Sequence, residues 1–415
     1  MEIKPIKSFQ KTVTVAPDKS ITHRAIMFNA IANGKATIKN ALMGEDCLAT
    51  IECMRSLGAR IEIEGDVVSV FGTKRLNSSS LYVGNSGTTF RLLTGLLAGA
   101  DGQFTIDGDA SIRRRPMKRV INPLALMGAD LKSFDGKAPV IINGKKLKGI
   151  NYDMPVASAQ VKSAILLAGM NADGITTVTE KVRSRNHTEL MLEAMGAKIW
   201  AEKGRVSIMR STLNPLDITV PGDVSSGAYP LVLASCLDGA TVTVKKMGIN
   251  PTRTGLLSVL KNCGITPVFS SKKKNAEPSA DVTVSYGEKK PFTIDKPIIP
   301  YLIDEIPVLA VLACFIEGES VIRGAEELKV KESNRIDTTV NALKAMGADI
   351  TATDDGMIIR GKGYLKGGAT IDPVGDHRIA MAMSVAGALS QEGVEILSPE
   401  CVAVSYPNFF ELFEE

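Results

Sequence analysis

Basic residues gather where short polar motifs open apolar stretches: Lys19 and Arg24 in PDKSITHRA, Arg91 after GNSG, and Arg378 in GDHRIAMA. A helix start presents unpaired backbone N–H groups and a partial positive charge, so it already favours anions. Cations added there suit phosphates and carboxylates. Further charge lies in RRRPMKR from Arg113, SRNH from Ser184 and KVKESNR from Lys329. In the first, Arg115 before Pro116 at an expected first helical turn is the candidate, while Arg113, Arg114, Lys118 and Arg119 read as a solvated basic helix start. In KVKESNR, Glu332 lies between Lys331 and Arg335, which helical spacing would bring to one face; an ion-paired surface has the same pattern. Carboxylates occur in the same settings, notably Asp304 in IDEIPVLA. Asp18, Ser20, Asp223 and Asp376 read equally well as helix caps when each is taken alone. All three histidines, His23, His187 and His377, fall in these motifs, and His23 reads as structural. The GNSGT loop from Gly84 is a glycine-rich loop without a GxxxxGK[ST] pattern, which argues against an ordinary nucleotide phosphotransferase.

These motifs recur. DKS from Asp18, GNSG from Gly84, ASAQ from Ala157, GDVSS from Gly222, IDE from Ile303 and GDHR from Gly375 each precede a small-residue apolar helix. Those helices close at Gly34, Gly102, Gly174, Gly239, Gly318 and Gly393, a period of roughly 70 residues, longer than solenoid repeats. A second helix in each unit ends at Gly58, Gly128, Gly196, Gly264 or Gly347, plausible C-caps, and a hairpin-like pair of strands follows. The unit therefore reads β-α-β-α-β-β. The sixth is cut short, its second helix SYPNFFELFEE meeting the chain end, and its missing strand pair is expected from MEIKPIKSFQKTVTVA.

With crossings near Ala16–Pro17 and Val220–Gly222, the expectation is two domains joined by a double hinge, residues 1–16 with 222–415 and residues 17–221, three units each. A chain of 415 residues suits two cores of about 200 better than one. Helices such as IAMAMSVAGALS and VLAVLACFIEG are apolar on nearly every face and belong inside. The fold class expected is α/β, with strands outside and helices inside, the reverse of a doubly wound sheet.

Composition removes other classes. No apolar run reaches the roughly 18 residues of a membrane span, and the N-terminus is expected to enter a strand at once, with no signal or transit segment. The six cysteines show no CxxC or zinc pattern, as expected of free thiols in a reducing cytoplasm. A formal charge of +4 and 5% aromatics, not interleaved with basic runs, do not describe a nucleic-acid binder.

PDKSITHRA, GNSGTTFRLL, DGDASIRRRP, ASAQVKSAILLAG, IDEIPVLA, KVKESNRI and GDHRIAMA, in order along essentially the whole chain, closely resemble the EPSP synthase (3-phosphoshikimate 1-carboxyvinyltransferase) family. The resemblance implies two inside-out α/β barrel-like domains of three repeats. It also implies transfer of an enolpyruvyl group from phosphoenolpyruvate to the 5-hydroxyl of 3-phosphoshikimate, on the route to chorismate and aromatic amino acids. Carried over by position, Lys19, Ser20, Arg24, Ser158, Gln160, Ser184, Arg185, Asp304 and Lys331 would hold 3-phosphoshikimate. Lys19, Gly87, Arg115, Gln160, Arg335 and Arg378 would surround phosphoenolpyruvate. Asp304 would accept the hydroxyl proton and Glu332 would protonate the methylene carbon. A carboxylic acid donor needs a raised pKa, whereas neighbouring Lys331 and Arg335 would lower it, so Lys19 is a second candidate for the proton transfers. No metal or organic cofactor is implied, nor a nucleic-acid or membrane partner; a cytoplasmic monomer is expected.

Two phosphates at about −1.5 to −2 each and two carboxylates bring roughly five to six negative charges. Lys19, Arg24, Arg115, Lys331, Arg335 and Arg378 answer them. Like charges at about 4 Å repel by about 1 kcal/mol in water and roughly 4 at an effective dielectric near 20, so closure driven by anionic substrates is expected. The alternatives are UDP-N-acetylglucosamine enolpyruvyl transferase, disfavoured by Ala110 where a loop cysteine is typical, and an RNA-end-binding or cyclase relative. Ala159, His187, Leu92 and Val404 depart from the better-known branch of the family and resemble its second subclass, often less sensitive to glyphosate, while Gly87 keeps the residue usually linked to sensitivity.

Overall fold

A computed structural model describes residues 1–414. The chain forms two compact units, Pro17–Val220 on its own and Met1–Ala16 together with the chain from Pro221 onward.

In the first unit three four-stranded sheets repeat one topology. The second sheet runs Ser79–Tyr82, Gly102–Asp107, Val140–Gly144, Asp130–Ser133 in spatial order. Its first pair is parallel and the other two antiparallel. The parallel pair follows from the helix crossover between its strands, and the antiparallel pair from the hairpin that ends the unit. In the other unit two sheets have this order and a third has three strands.

The first helix of each repeat lies inside its unit. Every residue from Ile21 to Ala30, from Val224 to Ser235 and from His377 to Ala388 is buried. Small residues make this possible: a Cβ on Gly95 would stand 2.2 Å from the Ala164 carbonyl oxygen, so Gly87–Ala98 and Ala159–Gly169 touch backbone to backbone. Polar residues on these helices bond back along them, as Thr94 Oγ1 does to the Phe90 carbonyl at 2.7 Å and Ser384 Oγ to that of Ala380 at 2.8 Å. The sheets cover these helices and alternate buried and open positions, as in Lys35–Lys39.

The second helices end as the glycines require. After Glu45–Ser56, Gly58 N–H donates to Arg55 and Ala59 N–H to Met54, a Schellman closure with Gly58 at φ +106°. Gly128, Gly196, Gly264 and Gly347 close the same way, all at positive φ.

Two expectations at the chain ends are corrected. Only Glu2–Ile3 joins the sixth sheet, antiparallel to Val394–Ile396, and Gln10–Val13 lies parallel to Thr241–Gly248 in the fourth. The fourth repeat opens directly on its helix, so the parallel edge beside its second strand must be filled by chain from elsewhere. Ile218–Thr219 fills the same edge beside Lys35–Lys39 in the first repeat. The expected last helix is two 3-10 stretches, of which Phe409–Phe413 falls within SYPNFFELFEE and Pro399–Val404 precedes it. Pro407 interrupts the pattern, and Phe409 is buried edge-on against Tyr229, Tyr406, Phe410 and Phe413. Glu415, the final residue of that stretch, lies outside the described residues. Among the described residues no helix is long and apolar enough to cross a membrane.

Candidate active site

Five of the six polar motifs cap their helices through a side chain. Asp18, Ser86, Ser158, Asp223 and Asp376 accept from the backbone N–H of Ile21, Thr89, Val161, Ser225 and Arg378. Ile303–Glu305 instead forms a 3-10 turn running into Ile306–Cys314. Ser20 is no cap: it lies inside the first helix, where its carbonyl accepts from Arg24 at 3.0 Å. The capping side chains use part of each helix start, and the cations sit around what remains.

In the unit Pro17–Val220, Lys19 Nζ meets Asp46 Oδ2 at 2.5 Å. Arg24 is buried and held through Thr188 Oγ1 at 2.7 Å and Ser163 Oγ at 2.9 Å. Its guanidinium is thereby fixed between the first and third repeats of this unit. Beneath it His23 Nδ1 bonds Thr50 Oγ1 at 2.7 Å, and complete burial pushes the imidazole pKa down to about 3 against the pull of Asp46. That agrees with the structural reading of His23.

Gly87 opens Gly87–Ala98, and a Cβ there would lie 3.0 Å from Arg91 Nη1 and 3.1 Å from Arg115 Nη1. Both guanidinium groups therefore lie beside bare backbone. Arg91 donates to Gln160 Oε1, and Gln160 Nε2 donates to Thr88 Oγ1 at 2.9 Å. Arg115 donates to Asn85 Oδ1 at 3.0 Å. Arg115 is not in a first helical turn but in the extended link between Ala110–Arg114 and Lys118–Leu126, because Pro116 excludes the helical conformation from the residue before it. Ser158 caps its helix, Ser184 is buried in the turn before His187–Ala194, and Arg185 is half-buried beside it.

In the other unit Arg335 gathers three carboxylates. It holds Asp376 through Nε at 2.8 Å and Nη2 at 3.2 Å, Asp304 Oδ1 at 3.1 Å and Glu332 Oε2 at 2.6 Å. Burial disfavours the Arg335 charge, but Asp376, Glu332 and Asp304 outweigh it and raise its pKa. Burial likewise works against the Asp376 carboxylate, and Arg335 still holds it below the usual range. Lys331 Nζ reaches Asp304 Oδ1 at 3.4 Å. Helical spacing does not bring Lys331 and Arg335 together, because the helix begins at Arg335; they meet through Asp304. Arg378 is buried against the hydroxyl of Tyr229, whose own pKa burial pushes up to about 12. Lys331, Arg335 and Arg378 thus stand with Asp304, Glu332 and Asp376 in a patch of balanced charge that can bind anions and move protons.

A family model described as EPSP synthase (3-phosphoshikimate 1-carboxyvinyltransferase) matches residues 3–413. The chain belongs to the EPSP synthase family. Similar relatives named 3-phosphoshikimate 1-carboxyvinyltransferase occur in Thermoanaerobacter sp. (strain X514), 49% identical over 100% of this chain and 99% of that one, and in Bacillus velezensis, 47% identical over 100% and 99%. A solved EPSP synthase from Acinetobacter baumannii superposes with a TM-score of 0.88 at 42% identity, covering 99% of this chain and 96% of that one. The two-domain α/β fold of EPSP synthases is therefore the fold of this chain.

Several residues built into these clusters carry no site signal in the sequence. Arg91 stands out in the sequence as a cation, but nothing there pairs it with Gln160. Asp46 and Thr188 lie far along the chain from Lys19 and Arg24, and Tyr229 sits unmarked in an apolar helix. Asp376 was legible as a cap, and only the structure shows its second use on Arg335.

Proposed function

We propose that this chain transfers the enolpyruvyl group of phosphoenolpyruvate to the 5-hydroxyl of 3-phosphoshikimate, releasing phosphate. Family membership supports the reaction, and the observation that carries the assignment of roles is the Arg335 cluster, where Asp304 and Glu332 share one buried guanidinium. The enol ether carbon becomes electrophilic when its CH₂ neighbour takes a proton, so an acid and a base must act on different atoms of one assembled complex. Asp304 is the base for the hydroxyl proton and Glu332 the donor to the methylene carbon, with Lys19 as a second proton carrier. Lys331 orients Asp304, and the fixed cations stabilise charge as it moves without having to reorganise.

Lys19, Ser20, Arg24, Ser158, Gln160, Ser184, Arg185, Asp304 and Lys331 hold 3-phosphoshikimate in this reading. Lys19, Gly87, Arg115, Gln160, Arg335 and Arg378 take phosphoenolpyruvate. The bare backbone at Gly87 suits close approach of an anion between Arg91 and Arg115. In this reading the domains 1–16 with 222–415 and 17–221 each contribute residues to the reaction. Asp304→Asn and Glu332→Gln each test the roles: kcat should fall by at least about 10²-fold, typical of losing a general acid or base. Wild-type turnover in either variant would remove that residue from the chemistry.

A further inference from the structure

Lys162 is 0% exposed, in the first turn of the interior helix Ala159–Gly169. A buried ammonium is costly unless paired, and an apolar side chain of similar volume would suit the neighbouring Val161, Ala164 and Ile165 better. Its partners explain its presence. Nζ donates to Glu180 Oε2 at 2.8 Å and meets Glu189 Oε1 at 2.7 Å. These glutamates bracket residues 181–188, the turn that carries Ser184 and Arg185.

Lys162 also donates to the Ser184 carbonyl at 3.4 Å, while the Ser184 N–H points to both oxygens of Glu180 at 3.3 Å each. Both backbone polar groups of Ser184 are thus gripped by one ion pair. The Ser184 hydroxyl, by contrast, is buried with no hydrogen-bond partner. A buried hydroxyl left unpaired costs free energy, so it is tolerated where a ligand will satisfy it. The backbone is fixed so that this hydroxyl need not serve the fold.

We propose that Lys162, with Glu180, is a positioning residue for the phosphate of 3-phosphoshikimate, clipping the Ser184–Arg185 turn to the helix that begins with Ser158 and Gln160. This rests on the ligand roles given above, with the phosphate placed at Ser184 and Arg185 because an anion suits an unpaired buried hydroxyl beside a guanidinium. The ion pair contributes direction rather than stability: ammonium and carboxylate fix one peptide orientation, which apolar packing would leave free.

The test uses the full chain and compares affinity for 3-phosphoshikimate with affinity for shikimate, which lacks the phosphate. Lys162→Met is one variant, and Lys162→Met/Glu180→Gln is a second that removes one ammonium and one carboxylate together, each used only after its circular dichroism matches the wild type. Affinity for 3-phosphoshikimate should fall at least tenfold in both while affinity for shikimate changes less than twofold, and KM for phosphoenolpyruvate should stay within about threefold. A merely structural lysine would lower the melting temperature and leave the ratio of the two affinities unchanged, and that result in the folded double variant overturns the proposal. A wild type that fails to prefer 3-phosphoshikimate over shikimate would overturn the functional reading and this proposal together. A wild type that does so, with variants that keep its ratio, overturns this proposal alone.

Discussion

Arg335 shows why side-chain identity at one position decides several others. It has one charge and three carboxylate neighbours, and a bidentate grip on Asp376 leaves its remaining N–H groups aimed at Asp304 and Glu332. A lysine would keep the charge and lose the fork. His23 is the opposite case, a titratable group kept neutral. The unfolded chain takes up its proton near pH 6.5, whereas the folded chain resists until about pH 3, so stability falls as pH drops through that window. The slope is at most about 1.4 kcal/mol per pH unit. Melting temperatures between pH 6.5 and 4.5 should therefore fall more steeply for the wild type than for His23→Gln; equal slopes would refute the assignment. At this scale the sequence marks Lys19, Arg24, Arg115, Asp304 and Arg378 because they sit in motifs. It cannot mark Asp46, Thr188 or Lys162, whose roles exist only once distant segments meet.

At the scale of elements, the repeat is legible because each boundary has its own chemistry. Polar caps open the interior helices, and glycines at positive φ close the second helices. Gly128 isolates that effect: its φ is +91°, and nothing lies within 4 Å of a Cβ built there. Gly128→Ala should then cost about 1–2 kcal/mol from backbone strain alone, seen as a lower melting temperature with unchanged KM values. An unchanged melting temperature would show that the closure tolerates a side chain. Elements without a local signal are not legible in this way. The partner of Gln10–Val13 depends on an edge left vacant in the fourth repeat, and a helical pattern at the chain end gave way to 3-10 turns around Phe409. Lys331 and Arg335 looked like neighbours on a helix and are neighbours through a shared carboxylate instead.

At the scale of the molecule, each unit buries its own interior helices, so each holds its own cluster of charged residues in place. In Pro17–Val220, Lys19 and Arg24 stand at the start of the first helix, and Lys162 is held by Glu180 and Glu189. The other unit holds Asp304, Glu332 and Asp376 around Arg335. The repeat explains how one fold places both sets at helix starts, and the α/β class with interior helices followed from small apolar residues on every helical face. The central claim is a reaction that needs both substrates. Phosphate release from phosphoenolpyruvate by the full chain measures it directly: release should occur only when 3-phosphoshikimate is present. Turnover with UDP-N-acetylglucosamine in its place, or release without any acceptor, would contradict the account.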